Sequence, residues 1–210
     1  MIREQCRVCR RAGQKLFLKG DRCFSPKCAL VKKNYPPGAI SKKRRSGAAS
    51  EYKKALNEKQ KLRKWYGMSE HQFKQYVQDI LAKRGKVQNI SDELIKKLEK
   101  RLDNVVFRLG LAKSRNQSRQ LVSHGFFTVN GKSINIPSFA TKVGDIVTLK
   151  ETKRKKGLFN DIATQIKKKE ASNWLEVNKD TLTGKIKSEP SLAEIVPPAE
   201  LSVIFEFYSR

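Results

Sequence analysis

Residues 101–149 read RLDNVVFRLGLAKSRNQSRQLVSHGFFTVNGKSINIPSFATKVGDIVTL. Two short helical patterns run straight into a hairpin pattern. Leu102, Val105, Val106 and Leu109 fall at i, i+3, i+4 and i+7, one apolar face of a helix. Gly110 stands where a left-handed C-terminal cap is expected. Ser114 opens a second helix with Gln117 three residues on, the spacing of a capping box, and Gly125 ends it. Phe127 and Val129 then precede Asn130-Gly131, a strong turn signal, and Ile134 and Ile136 follow at period two. Arg108, Lys113, Arg115 and Arg119 crowd the polar side, and no acid occurs between Asp103 and Asp145. A small apolar core carrying a cationic face suits a phosphate backbone. His124, at the helix end, can cap carbonyls or touch phosphate, and Lys132 stands beside the turn.

Working outward, charge dominates the composition. The 210 residues hold 46 Lys and Arg against 20 Asp and Glu, a net charge of +26. A chain this basic repels itself and calls for a polyanionic partner. Residues 1–50 carry 14 basic residues and only Glu4 and Asp21 as acids, whereas residues 170–210 carry four basic residues and seven acids. The basic part is the expected RNA surface, and the tail is expected to pack on protein. No stretch resembles a transmembrane span or a signal peptide, and no helix pairs a strong apolar face with an all-basic one, so a membrane partner is not expected. With the first cysteine motif so near the N-terminus, a transit peptide is not expected. The expected location is the cytoplasm.

All four cysteines lie near the N-terminus as Cys6-x2-Cys9, thirteen residues, then Cys23-x4-Cys28. Two close pairs across a short loop match the spacing of a structural tetrahedral zinc site, with each pair expected to form a knuckle. Arg7, Arg10, Arg11, Lys15, Lys19, Arg22 and Lys27 in and beside the loops favour thiolates. Two disulfides are the alternative, disfavoured in a reducing compartment, and an iron–sulfur cluster is a more distant one. Four thiolates fill the shell of a single zinc ion and leave no position for a substrate, so the ion is expected to be structural.

Residues 32–50 read as an extended basic linker, since Pro36-Pro37-Gly38 blocks helix and Lys42, Lys43, Arg44 and Arg45 form a run expected to contact RNA. Residues 51–66 read as a helix ended by Gly67, with Lys59, Lys61 and Arg63 among its cations. Ser69 and Gln72 open the next helix, striped by Phe73, Tyr76, Val77, Ile80 and Leu81 and closed at Gly85. Ser91-Asp92-Glu93 starts a further helix. Residues 161–171 read as helical, and Trp174–Val177 with Gly184–Ile186 as a hairpin. The terminal LSVIFEFYSR suits either a strand or a helix.

Several of these segments carry a resemblance. RLDNVVFRLGLAKSRNQSRQLVSHG followed by VNG and GDIV resembles the RNA-binding module of the bacterial-type small ribosomal subunit protein four family. CRVCRRAGQKLFLKG, NEKQKLRKWYGMSEHQFKQYV and FEFYSR resemble the same family, in the same order, so the likeness covers almost the whole chain. It implies a structural constituent of the small ribosomal subunit. Such a protein binds small-subunit ribosomal RNA first, nucleates assembly of the subunit body and contributes to decoding accuracy. Its partners would be that RNA, neighbouring small-subunit proteins and messenger RNA near the path by which it enters. The resemblance supports zinc, since some members carry the four cysteines. It also implies that the tail packs on the N-terminal helices. The expected fold is thus α+β. A zinc-binding segment (1–31) and a basic linker (32–50) precede a helical domain (51–99, completed by 198–210), into which the RNA-binding module with its small sheet (100–190) is inserted. One departure is Ala39-Ile40-Ser41, where relatives commonly have Gln-His-Gly after Pro-Pro-Gly.

Catalysis is not expected. The two histidines, His71 and His124, are isolated, the cysteines are committed to metal, and no phosphate-binding loop pattern or paired acid stands out. No small-molecule substrate follows. The same module also occurs appended to RNA-modifying enzymes, but a catalytic domain would need residues already assigned. A DNA-binding zinc protein is the other rival. The residues expected to meet RNA are Arg10, Arg11, Lys15, Lys19, Lys42, Lys43, Arg44, Arg45, Lys59, Lys61, Arg63, Lys113, Arg115, Arg119, His124 and Lys132. Arg115→Glu is expected to weaken RNA binding without unfolding the chain.

Overall fold

The computed structural model describes residues 2–38, 50–86, 88–154, 172–178 and 181–209. Lys42 to Arg45, the Ala39-Ile40-Ser41 departure and the helix expected at 161–171 lie outside the described residues. The chain divides into two units, residues 1–91 with 197–210, and residues 92–196.

In the first unit α1 (Ile2–Ala12) departs from the expected knuckle, because Cys6 and Cys9 lie within a helix. Their i, i+3 spacing puts both on one face, and Arg10 and Arg11 in the last turn suit the helix dipole. Two single turns follow, α2 (Asp21–Phe24) and α3 (Ala29–Lys32). α4 (Glu51–Trp65) starts at Ser50, whose Oγ accepts the Lys53 N–H at 3.3 Å. α5 (Glu70–Leu81) starts in the same way at Ser69, which accepts the Gln72 N–H at 3.3 Å. Gly67, with φ 66°, turns the chain between them. α5 ends at Leu81, short of Gly85, which sits instead in a 3-10 turn over Arg84–Lys86. The terminal segment is helical: α10 (Leu201–Ser209) packs against α4 and α5. Its ambiguity resolves because Leu201, Ile204 and Phe205 fall on one helical face and are buried. Each such side chain contributes about 1.5–3 kcal/mol of transfer free energy.

The unit boundary falls within α6 (Ile90–Glu99), which begins one residue before Ser91, with the Asn89 side chain accepting the Ser91 N–H at 3.0 Å. In the second unit α7 (Leu102–Arg108) and α8 (Arg115–Ser123) form the expected pair. Gly110 turns out of α7 at φ 81°, and the Ser114 Oγ caps α8 through the Gln117 N–H at 3.3 Å. The first amides of α7 are satisfied from outside the helix: Leu102 N–H donates to Phe139 O at 2.9 Å and Asp103 N–H to Pro137 O at 3.1 Å. This ties the 137–141 loop to the helix start.

The helices pack on an antiparallel sheet ordered β2-β1-β3-β5-β4, with β1 (Phe127–Val129), β2 (Lys132–Ser133), β3 (Ile146–Leu149), β4 (Leu175–Asn178) and β5 (Thr183–Ile186). A one-turn helix, α9 (Glu151–Arg154), follows β3. Asn130 and Gly131 have φ 49° and 79°, as the hairpin turn requires. β2 is shorter than the Ile134–Ile136 alternation suggests. Ile134 packs on the core while Ile136 is exposed. The second hairpin joins the sheet through β5, which pairs with β3. The core between helices and sheet holds Val105, Val106, Val122, Phe127, Val147 and Trp174, all at most 1% exposed.

Candidate nucleic-acid interface

The α7–α8 pair carries a charge network that composition alone does not reveal. Glu99, at the end of α6, is wholly buried. Arg108 grips it with a fork, Nε to Oε2 at 3.0 Å and Nη2 to Oε1 at 2.8 Å. The Asn104 amide donates to the same carboxylate, and Arg115 donates from Nε to Asn104 Oδ1 at 2.8 Å. Arg115 Nη2 stands 3.9 Å from Glu99, and its guanidinium lies 4.6 Å above the Phe107 ring. A second cluster centres on Asp103. Arg101, 1% exposed, meets it at 3.1 and 2.7 Å, and Arg119 approaches at 3.7 Å. Ser118 on α8 donates its hydroxyl to the Asp103 carbonyl.

The stretch without acids therefore does not present an uncompensated cationic face. Glu99 and Asp103, at its N-terminal border, fold onto its arginines. A buried carboxylate requires such pairing, since an isolated one costs several kcal/mol. Only one tenth of the Arg115 side chain stays exposed, against 38% for Arg119 and 21% for Arg108. Arg108, Arg115 and Arg119 thus brace the helix pair, and Arg119 keeps the largest share of its side chain in solvent. Lys113 is half-buried, and His124 and Lys132 are exposed. His124 forms the cap of α8 through its backbone N–H to Gln120 O. Lys150 Nζ and Lys153 Nζ, absent from the expected set, flank the same end. The first lies 3.8 Å from where a side chain on Gly125 would begin, and the second 5.6 Å from the Phe126 ring.

Within the first unit the expected cations divide sharply. Arg11 and Lys15 are exposed. Arg10 instead holds the 33–36 segment against α1, with Nε bonds to Lys33 O and Tyr35 O at 3.1 and 2.9 Å and its guanidinium 4.7 Å above the Tyr35 ring. Lys59 is buried, 2.6 Å from Glu70 and 4.6 Å above the Phe207 ring. Arg63 reaches Glu70 at 3.2 Å, and the Tyr208 hydroxyl donates to it at 2.9 Å. This cluster joins α4, α5 and α10. Burial alone would raise the Glu70 pKa, but the hydrogen bonds from Lys59 and Tyr208 and the charges of Lys59 and Arg63 hold it below the usual carboxylate range. Burial and the Glu70 carboxylate push the Tyr208 hydroxyl up. Lys61 pairs with Glu58 at 2.5 Å one turn away.

The four cysteines are thiols; Cys9, Cys23 and Cys28 are buried and Cys6 is half-buried. Among the described residues no three Cys, His, Asp or Glu side chains stand at ligand spacing. The four sulfurs are nonetheless near enough that Cys6, Cys23 and Cys28 each disfavour a charge on Cys9. Burial is the chief cause raising the Cys9 and Cys23 thiols, opposed by the amides of Leu16 and Lys19 respectively. The Lys19 N–H lies 3.4 Å from Cys23 Sγ. Lys19 thus acts on this site first through its backbone amide and then through the charge of its half-buried side chain.

The sequence missed Glu99, Arg101 and Asn104 as organisers. One signal was available: Glu99 falls four residues after Ile95 and three before Leu102, on the apolar period of a buried helix face.

Comparison with known proteins agrees with this architecture. Residues 1–99 match the family model described as the ribosomal protein S4/S9 N-terminal domain, and residues 100–147 match that of the S4 domain. A small ribosomal subunit protein uS4 from Caldicellulosiruptor saccharolyticus is 45% identical over 209 residues, covering 100% of this chain and 98% of that protein. The uS4 protein of Pelobacter propionicus is 43% identical over 205 residues, covering 98% and 96%. That of Desulforapulum autotrophicum is 45% identical over 206 residues, with the same coverage. The described residues contain no helix long and apolar enough to cross a membrane. Identity at this level, running from one end of the chain to the other through both units, places the chain in the uS4 family of small ribosomal subunit proteins.

Proposed function

We propose that the chain is a structural, non-catalytic constituent of the small ribosomal subunit in the cytoplasm. In this reading it binds small-subunit ribosomal RNA early and nucleates folding of the subunit body. The full-length likeness to uS4 proteins carries this reading. The charge pattern supports it, because a chain of net charge +26 needs a polyanion to neutralise it. The chemistry favours recognition of folded RNA by shape. Guanidiniums locked on preformed helices meet phosphates at fixed spacing and lose little side-chain freedom on binding. Arg119, Lys113, His124 and Lys132 would supply the module's contacts, and Arg11 and Lys15 those of the N-terminal unit. Arg115, Lys59 and Arg63 would act chiefly by holding the scaffold. Contacts with neighbouring ribosomal proteins, a contribution to decoding accuracy and proximity to incoming messenger RNA belong to the same proposal.

By the chemistry of its donors the N-terminal cysteine set suits one structural zinc ion, whose binding would draw the sulfurs to ligand spacing. Four cysteines, three of them buried, face few competing ligands, and two amides already point at sulfurs, as they do around metal-bound thiolates. Cys6, Cys9, Cys23 and Cys28 would hold it. Bound, zinc supplies a fourfold cross-link between α1 and the 23–28 segment, with no open coordination position. Sedimentation of the tagged chain in cell extract tests the central reading. Co-migration with the small subunit at high salt is expected, and a chain that stays at the top of the gradient would refute it.

A further inference from the structure

Two exposed phenylalanines stand together in the N-terminal unit without a core to enter. Phe17 and Phe24 are 39% and 75% exposed, and their rings stack with centroids 4.9 Å apart at 27°. Leu16 and Leu18 on either side of Phe17 are buried, which fixes the chain at both flanks. Phe17 itself has φ 52°, a left-handed backbone state that an aromatic residue keeps only when the surrounding fold imposes it. The aim of its ring is therefore set before any partner arrives. The flanking sequence is cationic. Lys15, Arg22 and Lys27 are exposed, and Asp21 is the sole acid between residues 5 and 50.

We propose that the Phe17–Phe24 stack is a platform on which an unpaired base of RNA stacks, its phosphates lying against Lys15, Arg22 and Lys27. This rests on the RNA-binding function proposed above and assigns it a specific subsite. The charge around the rings selects the occupant. An apolar protein surface would gain nothing from three cations, whereas a single-stranded nucleotide offers a flat ring and an anion a few ångströms apart. The open face of Phe24 is the landing surface, and Phe17 supports it from behind. A paired base cannot reach it, because its faces are covered in the duplex, so the platform distinguishes looped from helical RNA.

The test uses the full-length chain with two labelled probes, a single-stranded oligouridine and an RNA duplex of equal length. Phe24→Ala should weaken binding to the single strand about thirtyfold, the middle of the range for one stacked base, and change duplex binding by less than about twofold. The salt dependence of single-strand binding should stay as in the wild type, since no ionic contact is removed. Phe24→Tyr should restore the affinity. Because Phe24 is three-quarters exposed, the alanine variant keeps the packing of the unit. Unchanged single-strand binding, equal loss on both probes, or failure of tyrosine to rescue would overturn the platform while leaving RNA binding intact. A wild-type chain that binds neither probe would also overturn the platform, and one that fails to bind folded small-subunit ribosomal RNA as well would overturn the RNA reading itself.

Discussion

Arg108 closes on Glu99 as a two-pronged fork, its Nε and Nη2 lying 3.0 and 2.8 Å from the two carboxylate oxygens. The carboxylate is completely buried while the Arg108 side chain keeps about a fifth of its surface in solvent. The pair thus faces both ways, anchoring α6 to α7 and leaving one cationic edge outside. A looser version recurs at the buried Asp103, which Arg119 approaches at 3.7 Å. Charge that composition counts as free is partly spent on holding the scaffold rigid.

Arg115→Glu is consequently a stability variant before it is a binding variant. The new carboxylate would face Glu99 and lose Asn104 and the Phe107 ring. Breaking a buried pair in this way costs about 3–5 kcal/mol. Amide exchange of α7 should accelerate strongly in the variant. Exchange at the wild-type rate would show that the network carries no load, and would restore the simpler expectation that only binding suffers.

The Glu70 cluster makes the helical unit sensitive to acid. The Glu70 pKa is depressed in the folded state. Its contribution is therefore fully present above the unfolded carboxylate value and is lost as pH falls through the lower folded value. Glu70→Gln should lower stability at neutral pH and flatten the acid limb of the pH–stability curve. Tyr208 behaves inversely, since its hydroxyl is raised. Its contribution holds below the ordinary tyrosine value and fades only as pH rises through the higher folded value. A variant curve parallel to the wild type would separate Glu70 from this behaviour.

Gly184 on β5 sits against Leu109, so close that a methyl group there would collide with both of the leucine's terminal carbons. Leu109 is 3% exposed and has little room to retreat. Gly184→Ala should destabilise the module by about 1–3 kcal/mol through overpacking. Adding Leu109→Ala should return part of that loss. A thermal midpoint unmoved by Gly184→Ala would contradict the packing.

These positions show what a sequence discloses. Local devices were legible: the Ser69 and Ser114 caps, the Asn130-Gly131 turn and the apolar face of α7 depend on residues within four positions of one another. The pairing of β5 with β3 was not, because Ile146 and Lys185 meet across a long separation that no periodicity records. The helix carrying Cys6 and Cys9 was hidden behind a spacing that suits a turn equally well. Cations were the hardest to read. Lys59 and Lys53 look alike in a basic helix, yet Lys59 is buried on Glu70 while Lys53 faces solvent. What separates them is a carboxylate eleven residues away, on another helix.

Metal removal probes the N-terminal unit alone. Treatment with a zinc chelator should release one equivalent of zinc and speed amide exchange within residues 2–33, while the core around Val106 and Trp174 stays protected. Native mass spectrometry reads the metal count directly. A chain without zinc, or a module that loses protection along with the N-terminus, would contradict the assignment.

The central claim is that a rigid scaffold presents guanidinium and ammonium groups to one folded RNA. Competition binding measures it most directly, with labelled small-subunit ribosomal RNA displaced from the full-length chain by unlabelled cognate RNA or by heparin over a range of salt concentrations. The account expects cognate RNA to displace far better than heparin, with the preference growing as salt screens the unspecific component. Equal displacement by both at every salt concentration would contradict it.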